Sequence, residues 1–473
     1  MRAWLLAGLL TVHSATIVAG VLDDYVRKAD PAYSWTLKHE ESGALAQAWF
    51  MEMQSQRWLD ETRVDRPVWT HELRIATPRG CTPANAPGTA VLLVSGGSNK
   101  AEYKHALKSE MSLVVQLFCR TVIEIRQIPN QPLTFAGEDI TRKEDAIIAY
   151  SFDRFLNGDT ADWPVQSAMV KAVVRAMDTA QEFSRQRAEI PDIDGFVLIG
   201  ASKRGWTSYL TSAVDSRVKA VIPVSIDIPN LPEHLPRVFA AYGEYPRALK
   251  DYQAIDLGCR LASKRGDALL SIVDPIRYRE QLKLPKFLLN AAGDEFFLSD
   301  SSNFYFDALQ GSKRLRYTPN ADHGQSNFDR ATLMMQARNW IDDVLGGRTP
   351  PSLEWRKDAA NVFTVKPTAK PREVLLWTAD NPLARDFRVE TAGAIWKKQE
   401  LKPQPNGSYR VQLKSPEKGW RAAFVEAHFG GILETQQQIY TTSIQVLPDT
   451  MPFTNDYCAE KRVTTKLTAP QPK

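Results

Sequence analysis

The stretch "GFVLIGASKRGWTSYL" occupies residues 195–210. A short apolar run ends at Gly200, Ser202 follows, and a helix-compatible segment begins after it. A serine on a tight strand-to-helix turn projects its hydroxyl above the sheet, and small neighbours permit the crowded backbone. The helix N-terminus beyond it favours developing negative charge. The usual elbow is G-x-S-x-G; here the second glycine, Gly205, falls one residue later. Read alone, the segment also fits a glycine-bounded turn with a helix-capping serine.

Working outward, comparable apolar runs recur at 89–97 ("TAVLLVSGG"), 121–129 ("TVIEIRQIP"), 218–226 ("VKAVIPVSI"), 286–294 ("KFLLNAAGD") and 313–321 ("KRLRYTPNA"). Helical patterns separate several of them, including 102–118 and a closing helix at 330–345. Continuous apolar strands alternating with helices predict an α/β fold: a mainly parallel sheet covered on both faces. Functional groups then gather at the strand C-termini. Residues 23–70 read as a mixed helical lead-in, and 66–78 as an antiparallel edge strand. The insertion at 227–285 reads as a helical cap over the site. Residues 346–355 form a linker. Short alternating segments over 356–460 predict an antiparallel β-sandwich, with 461–473 as a tail.

Residues 1–20 have a basic start, an apolar stretch and small residues, the order of a signal peptide. This predicts a secreted or periplasmic protein whose remaining domain spans about 21–345. The 473 residues carry 59 Lys+Arg against 55 Asp+Glu, a net charge of +4, scattered rather than gathered into a nucleic-acid footprint. No apolar run long enough for a membrane span lies past the N-terminus. Cys81, Cys119, Cys259 and Cys458 allow three full pairings, and none forms a C-x-x-C pair. One glycosylation sequon, Asn406-Gly407-Ser408, is present.

A nucleophilic serine needs a base, and the base an orienting carboxylate. Asp294 follows the run at 286–294 and His323 follows the run at 313–321. Ser202, Asp294 and His323 therefore occur in the order used by α/β-hydrolases. Glu295, Asp300 and Asp322 are rivals for the acid. Two donors must hold an oxyanion. One is expected from the Lys203 N–H, the other from Gly97 or Ser98 in "SGGSNK" (95–100). Trp206, Phe296 and Arg204 are candidate pocket residues. Core packing is the alternative for the aromatics, and solvent or acidic partners for Arg204 and Lys203. No zinc-protease or nucleotide-binding motif occurs, so neither metal nor cofactor is expected.

The chain resembles the PhoPQ-activated pathogenicity-related proteins. The resemblance rests on "LDDYV" (22–26), "VSGGSN" (94–99), "IPNQPLTF" (128–135), "RKEDAIIAYSFDRFL" (142–156), "GASKRGWTS" (200–208), the segment 274–302 and "LRYTPNADHG" (315–324). The family implies an α/β-hydrolase relative, typically exported, with Ser202, Asp294 and His323 at the matching positions. The elbow spacing also looks like that of glucuronoyl esterases. Relatives in amoebae, described as secreted signals that repress proliferation, imply a non-catalytic alternative. The leading expectation is a secreted serine hydrolase cleaving an ester or amide through an acyl-enzyme. Its partner would be a small-molecule ester, a peptide or a carbohydrate-linked substrate. The alternatives are an extracellular signalling or binding protein with a cell-surface partner, or a carbohydrate binder using the sandwich.

Overall fold

The six apolar runs all become strands of one sheet. The computed structural model describes residues 20–102, 106–454 and 458. Nearly all of the expected signal peptide (1–19) and the expected tail lie outside the described residues. The chain opens with α1 (Val21–Arg27), then β1 (Ser34–Ser42), β2 (Ala46–Arg57), β3 (Val68–Pro78), β4 (Thr89–Val94), α2 (Ser109–Phe118) and β5 (Val122–Ile125). A short hairpin, β6 (Leu133–Thr134) and β7 (Thr141–Arg142), leads into α3 (Asp145–Leu156) and α4 (Val165–Ser184). Next come β8 (Gly195–Ala201), α5 (Lys203–Val214) and β9 (Val218–Val224). The 227–285 segment holds α6 (Leu231–Tyr242), α7 (Lys250–Ala254), α8 (Leu257–Arg260) and α9 (Lys264–Val273), and the chain returns through β10 (Lys286–Ala291) and β11 (Lys313–Thr318) to α10 (Arg330–Leu345).

The sheet order is β1-β2-β3-β5-β4-β8-β9-β10-β11. Pairing is antiparallel from β1 to β5 and parallel from β5 to β11. Strand alternation sends Ala90 and Leu92 of β4, with Phe196 and Leu198 of β8, into one core. It sends Val91 and Val197 into a second core, with Phe118 of α2 and Trp340 of α10. Both faces of the sheet are thus covered, as continuous apolar strands require.

Three expectations need correction. The lead-in is mostly strand: only Val21–Arg27 is helical within it, and β1 and β2 form a hairpin. Met and Gln in "AQAWFMEMQSQR" favour a helix locally, but burial of Trp49, Phe50, Met51 and Met53 in the sheet overrides that preference. For the same reason β3 is not an edge; it lies between β2 and β5, and β1 takes the edge. The helix expected from 102 starts at Ser109.

The C-terminal strands are β12 (Leu353–Lys357), β13 (Val362–Pro367), β14 (Glu373–Asn381), β15 (Lys397–Glu400), β16 (Tyr409–Gln412), β17 (Trp420–Gly430), β18 (Gln437–Thr441) and β19 (Gln445–Leu447), with α11 (Val389–Ala392) between β14 and β15. They form an antiparallel sheet β12-β13-β16 and another β15-β14-β17-β18, with β19 also on β17. Phe363 and Val365 share an apolar layer with Val374 and Val425. The first of these strands begins inside the expected linker, at Leu353.

This β-rich domain grips the first at several points. Buried Arg385 pairs with Asp300 at 2.6 Å. The Val389 N–H donates to the Gly293 carbonyl (3.0 Å), one residue before Asp294. The Phe453 N–H donates to the Ala240 carbonyl of α6 (3.0 Å). Disulfides join Cys81 to Cys119 and Cys259 of α8 to Cys458.

Candidate active site

Ser202 sits between β8 and α5 with φ 56° and ψ −130°, a conformation that non-glycine residues adopt only where the surroundings enforce it. The two glycines explain how. A Cβ on Gly200 would collide with the Arg204 carbonyl, and one on Gly205 would lie 2.7 Å from the Gly200 carbonyl oxygen and from Ile226. The first turn of α5 therefore presses directly on the end of β8. The longer spacing still closes the elbow because Gly205, not residue 204, faces the sheet.

Asp294 lies just beyond β10 and His323 beyond β11. His323 Nε2 is 2.8 Å from Ser202 Oγ, and its Nδ1 is 2.8 Å from Asp294 Oδ2. Asp294 is only 4% exposed; its Oδ1 accepts the Phe296 N–H at 2.7 Å. Burial alone would lower the His323 pKa, but the adjacent Asp294 carboxylate outweighs it and holds the imidazole above its ordinary 6.5. The three rival acids have other partners. Glu295 accepts the His323 backbone N–H (3.0 Å), Asp300 pairs with Arg385, and Asp322 accepts the Ser326 N–H (2.9 Å).

The Lys203 N–H stands at the first position of α5, where no intrahelical acceptor exists. The 95–100 loop is laced to the segment after β5: Gly96 and Ser95 carbonyls accept the Gln127 and Ile128 N–H groups, each at 3.1 Å. Gly97 has φ +145°, and the N–H groups of Gly97 and Ser98 reach no acceptor among the described residues.

A narrow cavity of about 50 Å³ opens beside Ser202. Trp206 and Phe296 line it, with Ile226, Leu231 and Leu235 from the segment that follows β9. Trp206 serves the core as well, donating its indole N–H to the Val273 carbonyl (2.5 Å). The Phe296 ring lies 4.3 Å from the His323 ring. Arg204 is not part of the wall. Its guanidinium covers Gly96, donates to the Ile128 carbonyl (2.5 Å) and pairs with Glu144 (2.8 Å). It ties the glycine loop to the elbow through an acidic partner.

Sequence reading missed Glu144 and Asp145, at the start of α3. Lys203 Nζ lies 3.0 Å from Glu144 and 3.1 Å from Asp145, and Tyr252 donates to Asp145 at 2.8 Å. Burial would raise the Glu144 pKa, but the Arg204 hydrogen bond and the two cations bring it down to about 2. Two acids face two cations in this cluster. The one sequence signal was the acidic doublet in "RKEDAIIAYSF", whose neighbours Arg142 and Lys143 look like local partners and conceal the distant ones.

The sequence profile of the PhoPQ-activated pathogenicity-related proteins matches residues 22–388. Autocrine proliferation repressor protein A of Dictyostelium discoideum is 32% identical over 479 residues, covering 95% of this chain and 94% of that protein. An acetyl xylan esterase from Paenibacillus sp. R4 is similar at 14% identity and TM-score 0.43, covering 68% of this chain and 91% of that one. Acetyl xylan esterase 1 from Thermoanaerobacterium sp. JW/SL YS485 is similar at 15% identity and TM-score 0.43, with the same coverage of 68% and 91%.

Proposed function

The chain belongs to the PhoPQ-activated pathogenicity-related protein family, and from that footing we propose that it is a serine hydrolase cleaving an ester or amide through an acyl-enzyme. The observation that carries this reading is the unbroken relay from Ser202 through His323 to Asp294, with both links at 2.8 Å. His323 Nε2 takes the Ser202 proton as Oγ attacks the substrate carbonyl. The N–H groups of Lys203 and of Gly97 or Ser98 hold the oxyanion. His323 then protonates the leaving group. Water, activated by the same nitrogen, releases the acyl group and restores Ser202. Asp294 holds the proton of His323 on Nδ1, leaving Nε2 free to accept.

The substrate is a small ester, a peptide or a carbohydrate-linked ester, met outside the cytoplasm. Two disulfides fit an oxidising compartment. Among the described residues no helix is long and apolar enough to cross a membrane. A fluorophosphonate probe should label the protein at Ser202 and leave Ser202→Ala unlabelled. Absence of label and of hydrolysis across ester and peptide panels, in protein with an intact thermal transition, would refute the proposal.

A second reading comes from the name of the Dictyostelium relative: a proliferation repressor that uses the hydrolase scaffold without turnover. Ser202→Ala separates the two, because a signal that needs no chemistry keeps its full biological effect in that variant.

A further inference from the structure

Helix α6 carries Leu231, Leu235 and Val238 at helical spacing, so the three side chains form one stripe along it. All three are buried, and all three line the cavity beside Ser202. Trp206 of α5, and Ile226 just after β9, belong to the same wall. Its two charged members, Asp145 and Lys203, are bound to each other at 3.1 Å, and Tyr252 donates to Asp145 at 2.8 Å. His234 is 3% exposed, and its Nε2 lies 3.0 Å from the Pro229 carbonyl oxygen. A carboxylate or ammonium group entering this space would lose its water and meet an ion pair already made, which disfavours a charged occupant.

The space measures about 50 Å³. An apolar cavity of about 150 Å³ holds a benzene molecule, so a third of that volume takes roughly two carbon atoms. A substrate for hydrolysis has two ends, and the relay decides which of them uses the cavity. The leaving group departs with a proton from His323 Nε2, so its oxygen or nitrogen must lie beside that ring. His323 is not in the wall, whereas Ser202, which keeps the acyl group, is.

Building on the serine-hydrolase reading, we propose that this cavity is the acyl pocket and that the acyl group it takes is short, unbranched and uncharged: acetyl or propionyl, with the alcohol or amine side held outside it. Ser202 Oγ bonds to the carbonyl carbon as the bond to the leaving oxygen or nitrogen breaks, and the serine proton passes through His323 to that atom. Water then cleaves the acyl-serine bond and releases acetate or propionate. The stripe of Leu231, Leu235 and Val238 sets the length limit, because a longer chain has to displace close-packed side chains.

The test compares umbelliferyl acetate, propionate, butyrate and hexanoate on the full-length protein. Acetate and propionate should exceed hexanoate in kcat/KM by roughly a hundredfold. A second series with the acyl group fixed, ethyl, butyl and hexyl acetate, should depend little on length. Leu235→Ala removes the middle of the stripe and should move the acyl optimum to butyrate or hexanoate. Val238→Ala, a smaller deletion on the same face, should move it in the same direction. Each profile is a ratio within one protein sample, so partial loss of folded material leaves it unaffected. A flat acyl profile in the natural protein, a length limit that falls on the alcohol instead, or a profile unmoved by both variants would overturn the acyl-pocket assignment and leave the serine-hydrolase reading standing. Failure of fluorophosphonate labelling at Ser202, with no ester turned over, would remove the underlying reading and the pocket with it.

Discussion

Replacing Asp294 by Asn is expected to slow reaction at Ser202 by about 10⁴-fold while leaving the fold in place. Asp294 Oδ1 accepts backbone N–H groups from Phe296 (2.7 Å) and Phe297 (3.4 Å). In the variant the amide oxygen keeps that position, so the NH2 group faces His323 Nδ1. A donor there forces Nδ1 to accept and moves the imidazole proton to Nε2. Nε2 then confronts the Ser202 hydroxyl as a donor and cannot take its proton. The loss corresponds to about 5.4 kcal/mol of barrier, at 1.36 kcal/mol per decade. The assay is the second-order rate of fluorophosphonate labelling as a function of pH. Labelling needs neutral His323, and the carboxylate holds that imidazole above 6.5. The rate in the natural protein should therefore rise with pH and reach half its maximum above 6.5. In Asp294→Asn the residual rate should reach half-maximum at lower pH, because burial continues to oppose the charged ring after the carboxylate is gone. Labelling within tenfold of the natural protein, or an unmoved inflection, would refute the assigned role of Asp294.

Glu144→Gln should destabilise the protein at pH 7. The Glu144 carboxyl is held at about 2, below its ordinary 4.5, so its contribution is present above 4.5 and is lost as pH falls toward 2. Urea unfolding of the two proteins should differ at pH 7 and converge in acid; a gap that persists at pH 2 contradicts the ion cluster as its source. Gly200→Ala should cost about 1–3 kcal/mol, because the added methyl meets the Arg204 backbone carbonyl as well as the Ser208 hydroxyl. It should also slow Ser202 labelling, and a variant with unchanged melting temperature and labelling would show that the elbow does not need this close approach.

The grouping of Ser202, Asp294 and His323 was readable because each follows an apolar strand, and a parallel sheet brings such loops to one edge whatever lies between them. The glycines around Ser202 were readable as a turn, but not the way Gly205 takes over contact with β8. The partner of Arg204 was not readable, because a cation next to Ser202 gives no sign of it; Glu144 lies at the start of a different helix. The β1–β2 hairpin was hidden by residues whose local preference is helical, and only its neighbours in the sheet decide otherwise.

The β-rich domain holds both walls of the reaction site, one through the Val389–Gly293 hydrogen bond behind the acid loop and the other through the Cys259–Cys458 link and the Phe453–Ala240 bond on the cap. It works as a brace, and the hydrolase-like half is not a module that could be transplanted by itself. Severing the chain after α10 would leave Asp294 and the cap helices without outside anchorage. A reductant that opened the Cys259–Cys458 bridge would release one of those anchors while the sheet beneath stayed intact. The geometry around Ser202 in the first half of this protein is thus subject to the integrity of the second.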